Sequence, residues 1–110
     1  MVRTTRRSSP QPSEPASQRW TFLSNHAHVL ICLAQEDSPR LRDVAQRIGI
    51  TERAVGAIVH DLEQEGFLER GREGRRNTYR LLLDRPLRHE VERHRDVREL
   101  VALFATRRRA

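Results

Sequence analysis

A mainly helical domain carrying one small β-hairpin is the fold class this sequence predicts, on three observations. LRDVAQRIG and TERAVGAIVHDLEQEG each repeat apolar residues at i, i+3, i+4 and i+7, the spacing that gathers them on one face of an α-helix. The turn between these two segments spans about three residues, which forces the helices to cross steeply instead of lying antiparallel. Beyond them the period switches to alternation around a polar EGR turn, the mark of a hairpin.

Residues 1–18 are rich in Ser, Pro, Gln and Thr with almost nothing to bury, so a disordered, weakly basic tail is expected there. Trp20 and Phe22 then form an anchoring aromatic pair, and a helix begins near Asn25 with Ser24 as its cap. Val29 to Leu33 are consecutive apolar residues, so this helix is apolar nearly all round and needs cover on two sides: its own core, and a second subunit. Leu41, Val44, Ala45 and Ile48 define the second helix, which Gly49 ends because glycine enters the left-handed region without strain. Thr51 caps the third, whose Val55, Ile58, Val59 and Leu62 repeat the template until Gly66.

FLERGR and NTYRLLL are strands by content, with Tyr79, Leu81 and Leu83 alternating to one face and Pro86 ending the second. A last helix is expected from about Glu90 to Ala105, spaced by Val97, Leu100, Val101 and Phe104, followed by a basic end at Arg107–Arg109.

Length allows one domain plus tails: 110 residues. The 21 basic residues, all arginine, outnumber 15 acidic ones for a net charge of +6, and a pI near 11.2 favours a polyanionic partner, nucleic acid before an anionic membrane. The cations are not spread evenly. Residues 67–85 hold Arg70, Arg72, Arg75, Arg76, Arg80 and Arg85 against Glu69, Glu73 and Asp84, whereas residues 20–66 are net acidic. No segment approaches the ~18 apolar residues of a membrane span. Arg3, Arg6 and Arg7 are followed by SSPQPSEPASQ where a signal peptide would be apolar. The single Cys32 offers no intramolecular disulfide, so a soluble cytoplasmic protein is expected.

This order of elements, with ITERAV, DLEQEGFLER and GRRNTYR in sequence, resembles bacterial MarR-type or ArsR-type transcription regulators over roughly residues 20–104. The resemblance implies a winged helix-turn-helix, a three-helix core plus wing over residues 19–85; the C-terminal helix over 86–110 and the first helix have more apolar surface than one small core needs, so they are expected to join a dimer. Ala45 falls where the two helices cross, Gly49 in the turn, and Val44, Ile48, Ile50 and Ile58 at core positions. The helix starting at Thr51 would then enter the major groove of DNA while the hairpin grips the backbone or minor groove.

The buried stripe turns Arg53, Ala57, His60 and Gln64 outward. Thr51 suits a phosphate at the helix start and Arg53 a guanine edge; Glu52 suits the helix dipole or a cytosine amino group, and His60 a phosphate. Arg72, Arg75, Arg76 and Asn77 are the expected backbone contacts of the wing. Gly56 in mid-helix costs about 1 kcal/mol relative to alanine. Beside Ala57 it leaves a bare face, which fits close approach to DNA, recognition of DNA shape, or docking of another protein.

HEVERH at 89–94 differs from a zinc-protease HExxH, because His89 and His94 are five apart and cannot share a helix face. His28 and Cys32 stand at i, i+4, but a cysteine inside VLICLA reads as a small core residue. No catalytic set, metal site or cofactor is implied. The expectation is therefore a homodimeric, non-enzymatic regulator binding duplex DNA at an inverted repeat, the alternative being a winged-helix protein-interaction module. Whether a ligand binds is left open.

Overall fold

Ser24 starts the first helix: its hydroxyl oxygen accepts from the Ala27 N–H at 3.2 Å, and α1 follows over Asn25–Gln35. The protein is seen in a computed structural model that describes residues 20–36 and 39–105. The expected tail at 1–18 and the basic end at Arg107–Arg109 lie outside the described residues.

Helix α2 spans Leu41–Ile48 and α3 Glu52–Gln64, joined by the short turn through Gly49, whose φ is 91° and whose N–H donates to the Ala45 carbonyl at 2.8 Å. Thr51 Oγ1 accepts from the Ala54 N–H at 3.0 Å, so the side chain satisfies a backbone donor that the first turn of α3 leaves over. At the other end Phe67 N–H bonds the Leu62 carbonyl at 2.8 Å and Gly66 N–H that of Glu63 at 3.2 Å. This Schellman pair, with Gly66 at φ 82°, stops the helix and turns Phe67 into the core beside Leu62.

Strand β1 (Leu68–Glu73) pairs antiparallel with β2 (Arg76–Leu81), with Glu73 opposite Arg76 across the Gly74–Arg75 turn. The ladder places Leu68 opposite Leu81, Arg70 opposite Tyr79 and Arg72 opposite Asn77. Those three pairs share one face, because side chains alternate along a strand. Leu68 is buried, and Tyr79 and Leu81 pack against the core, so this is the inner face.

The core joins Val29, Leu30, Cys32 and Leu33 of α1, Val44 and Ala45 of α2, and Val55, Ile58, Val59 and Leu62 of α3 with Phe67, Leu68 and Val97. Ala45 is 5% exposed and lies in this core with the buried face of α3. Ile48, Ile50 and Leu83 pack on the core's edge.

The last helix is a correction. It begins at Val97, not near Glu90, and ends at Leu103 as α4. Asp96 and Glu99 form a reciprocal capping box: Glu99 N–H donates to Asp96 Oδ1 at 3.0 Å and Asp96 N–H to Glu99 Oε1 at 3.1 Å. Upstream, Leu87 N–H bonds the Arg95 carbonyl at 3.0 Å and Pro86 bridges Asp96. Residues 88–95 therefore turn outward between two tethered ends, with His89 and His94 exposed on turns instead of a helix. Val97 N–H to the Arg85 carbonyl and Arg98 N–H to that of Leu83, both 2.9 Å, fasten the start of α4 to the chain leaving the hairpin. Its far end is held where Gln35 Nε2 donates to the Phe104 carbonyl at 2.8 Å.

Candidate nucleic-acid interface

Helix α3 buries one stripe and leaves Arg53, Ala57, His60 and Gln64 exposed, as the apolar spacing requires. At 3.6 residues per turn these four lie within about 60° of arc. Thr51 and Glu52 are exposed at the N-terminal end. The Thr51 hydroxyl oxygen is used as the cap acceptor, which leaves its proton available to a ligand oxygen.

Two polar side-chain pairs brace the shoulders of this helix. His26 Nε2 of α1 meets Asp61 Oδ2 at 2.9 Å on one side, and Arg70 Nη2 of β1 meets Glu63 Oε1 at 2.9 Å on the other. Each pair is partly exposed, so its value is positional more than energetic, of order 1 kcal/mol or less. Glu63 and Gly56 both fall on the shoulder turned toward the hairpin, and a Cβ built at Gly56 would meet no atom within 4 Å. The glycine therefore opens clear space beside the exposed stripe.

The hairpin arginines divide in a way their density in the sequence does not suggest. Arg70 is committed to Glu63, and Arg80 pairs with its cross-strand neighbour Glu69. Arg72 and Asn77 sit opposite one another on the inner face, the side that Arg70 extends toward α3. Arg76 lies on the outer face across from Glu73, and Arg75 occupies the turn. Arg72 and Arg75 are exposed and have no ion-pair partner among the described residues. The four wing residues singled out from the sequence are thus split between two faces and a tip.

Sequence reasoning missed the Glu63–Arg70 strut and the close approach at Gly71, where an added Cβ would lie 2.9 Å from Thr78 Oγ1. Strict alternation from Leu68 would have placed Arg70 and Arg72 on the inner face; the Gly71–Thr78 opposition needs the strand register. DVRE at 96–99 carried the capping signal for α4.

His28 and Cys32 are not drawn together as a ligand pair: His28 Nδ1 bonds Asn25 Oδ1 at 3.1 Å, and Cys32 is buried. Burial pushes the Cys32 thiol above its ordinary pKa, with Arg47 opposing and Glu36 adding to the rise. Among the described residues no helix is long and apolar enough to cross a membrane.

The arrangement of helix pair, outward-facing stripe and adjoining basic hairpin finds its counterpart in one protein family. Residues 24–74 match the model of the MarR family. The domain is MarR-like. That match spans α1, the α2–α3 pair and β1, ending at Gly74, and likens the domain to the winged helix that DNA-binding transcription regulators use. No curated protein and no solved structure gives a significant match to the chain.

Proposed function

We propose that this MarR-like protein is a cytoplasmic transcription regulator that binds duplex DNA as a homodimer, with α3 in the major groove and the hairpin on the adjoining backbone or minor groove. The observation that carries the reading is the shared side of two surfaces. The exposed stripe of α3 adjoins the inner face of the hairpin, which ends at Arg72 and Asn77, and the Glu63–Arg70 pair links the two elements. A groove-sized helix beside a cationic ribbon suits a duplex, whose phosphates flank the groove.

In this reading Thr51 donates to a phosphate at the start of α3, where free backbone N–H groups also point. Arg53 takes a guanine edge, Glu52 and His60 line the groove, and Arg72, Arg75, Arg76 and Asn77 position the duplex. Dimerisation is supported by apolar side chains left uncovered at both ends of α1: Phe22 is 91% exposed before it, and Leu103 77% exposed beside its far end. Two-fold symmetry then calls for an inverted repeat with half-sites about one helical turn apart.

The test is the salt dependence of binding. Arg75→Ala with Arg76→Ala lowers affinity on all duplexes alike and flattens the log–log salt slope by up to ~2 per protomer. An unchanged slope removes the wing from the mechanism.

A further inference from the structure

The geometry of α3 points to a base identity: Ala57 reads the C5-methyl group of thymine, one or two base pairs from the pair taken by Arg53. The inference rests on the DNA-binding reading above and adds to it what the middle of the exposed stripe selects.

Ala57 is exposed between Arg53, one turn before it, and His60, one turn after. Its neighbour Gly56 has no atom within 4 Å of where a Cβ would stand. The centre of the stripe is therefore a single methyl group, with bare backbone at its flank and polar side chains at both ends. A methyl group can neither donate nor accept a hydrogen bond. Pressed onto the groove edge of adenine, guanine or cytosine it strips water from a donor or acceptor and returns nothing. Thymine alone among the four bases offers the major groove a methyl group, so methyl-on-methyl contact gains apolar burial and loses no hydrogen bond. Gly56 matters because side-chain bulk on that shoulder would hold the helix off, and apolar contact requires an approach of about 4 Å. Four residues of helix advance about 6 Å, close to two base-pair steps, which sets the offset from Arg53.

The measurement uses the full chain and duplexes selected by it from a randomised pool at physiological salt. Each consensus thymine is replaced in turn by deoxyuridine, which deletes only the methyl group, and affinity is read by fluorescence anisotropy. One symmetry-related thymine position loses about fourfold per half-site, the worth of one buried methyl group. In Ala57→Gly, and in Ala57→Ser, which keeps a side chain of similar size, the thymine and uracil duplexes bind alike at that position. A consensus in which no thymine is sensitive, or in which the sensitivity survives both substitutions, overturns the methyl assignment and leaves DNA binding standing. Failure to recover any consensus overturns both.

Discussion

Replacing Gly56 by alanine should make the protein more stable and a poorer DNA binder. Gly56 lies inside α3, and the added Cβ has no heavy atom within 4 Å to collide with. The substitution therefore removes the conformational freedom that glycine forfeits on folding and introduces no strain. The gain is about 1 kcal/mol, the difference between the two residues in a helix interior. For a domain of this size that raises Tm by roughly 4–8 °C, measurable by circular dichroism at 222 nm. The same methyl group intrudes on the clear shoulder beside the exposed stripe, and intrusion into a fitted interface costs roughly 1–3 kcal/mol. Specific affinity should then fall about fivefold or more while binding to random duplex stays constant. A Tm that stays or drops would mean that the space beside Gly56 is filled. A higher Tm with undiminished specific binding would mean that the glycine is not kept for close approach.

Gly71→Ala drives a Cβ to within 2.9 Å of Thr78 Oγ1 and should lower stability by about 1 kcal/mol in urea unfolding, a loss that Thr78→Ala in the same chain relieves. Glu99 is held below the ordinary carboxylate range by the Asp96 backbone N–H first and the Arg95 guanidinium second. Because its folded pKa is lowered, its contribution is complete above about pH 4.3 and is lost as pH falls through the folded value. Wild type and Glu99→Gln should accordingly differ in Tm at pH 7 and converge in acid; a difference that persists to low pH would place the effect elsewhere. Burial raises the Cys32 thiol, so at pH 8 a thiol reagent should label it slowly in the native protein and quickly in urea. Equal rates would show the thiol to be exposed.

The boundaries that could be read directly are those made by hydrogen bonds between near neighbours. Ser24 with Ala27, Thr51 with Ala54 and Gly49 with Ala45 all close within four residues, so the residue types alone mark where the helices begin and end. DVRE belongs to the same class, yet the apolar spacing of Val97, Leu100 and Val101 invited an earlier start for α4. Periodicity finds a buried face; it does not say where the chain first becomes helical. The Pro86–Asp96 bridge that holds the preceding turns links residues ten apart and had no local mark.

By itself the sequence determined the helix pair, its turn, the hairpin and the outward stripe of α3, because each follows from side-chain period and local capping. Tertiary structure decided how the arginines are distributed. Arg70 is taken by Glu63 and Arg80 by Glu69, while Arg72 and Arg76 are sent to opposite faces by strand register, in which a slip of one residue would put both on the same face. A charge can be counted along a chain, but its partner is set by distances that exist only once helix and ribbon have packed.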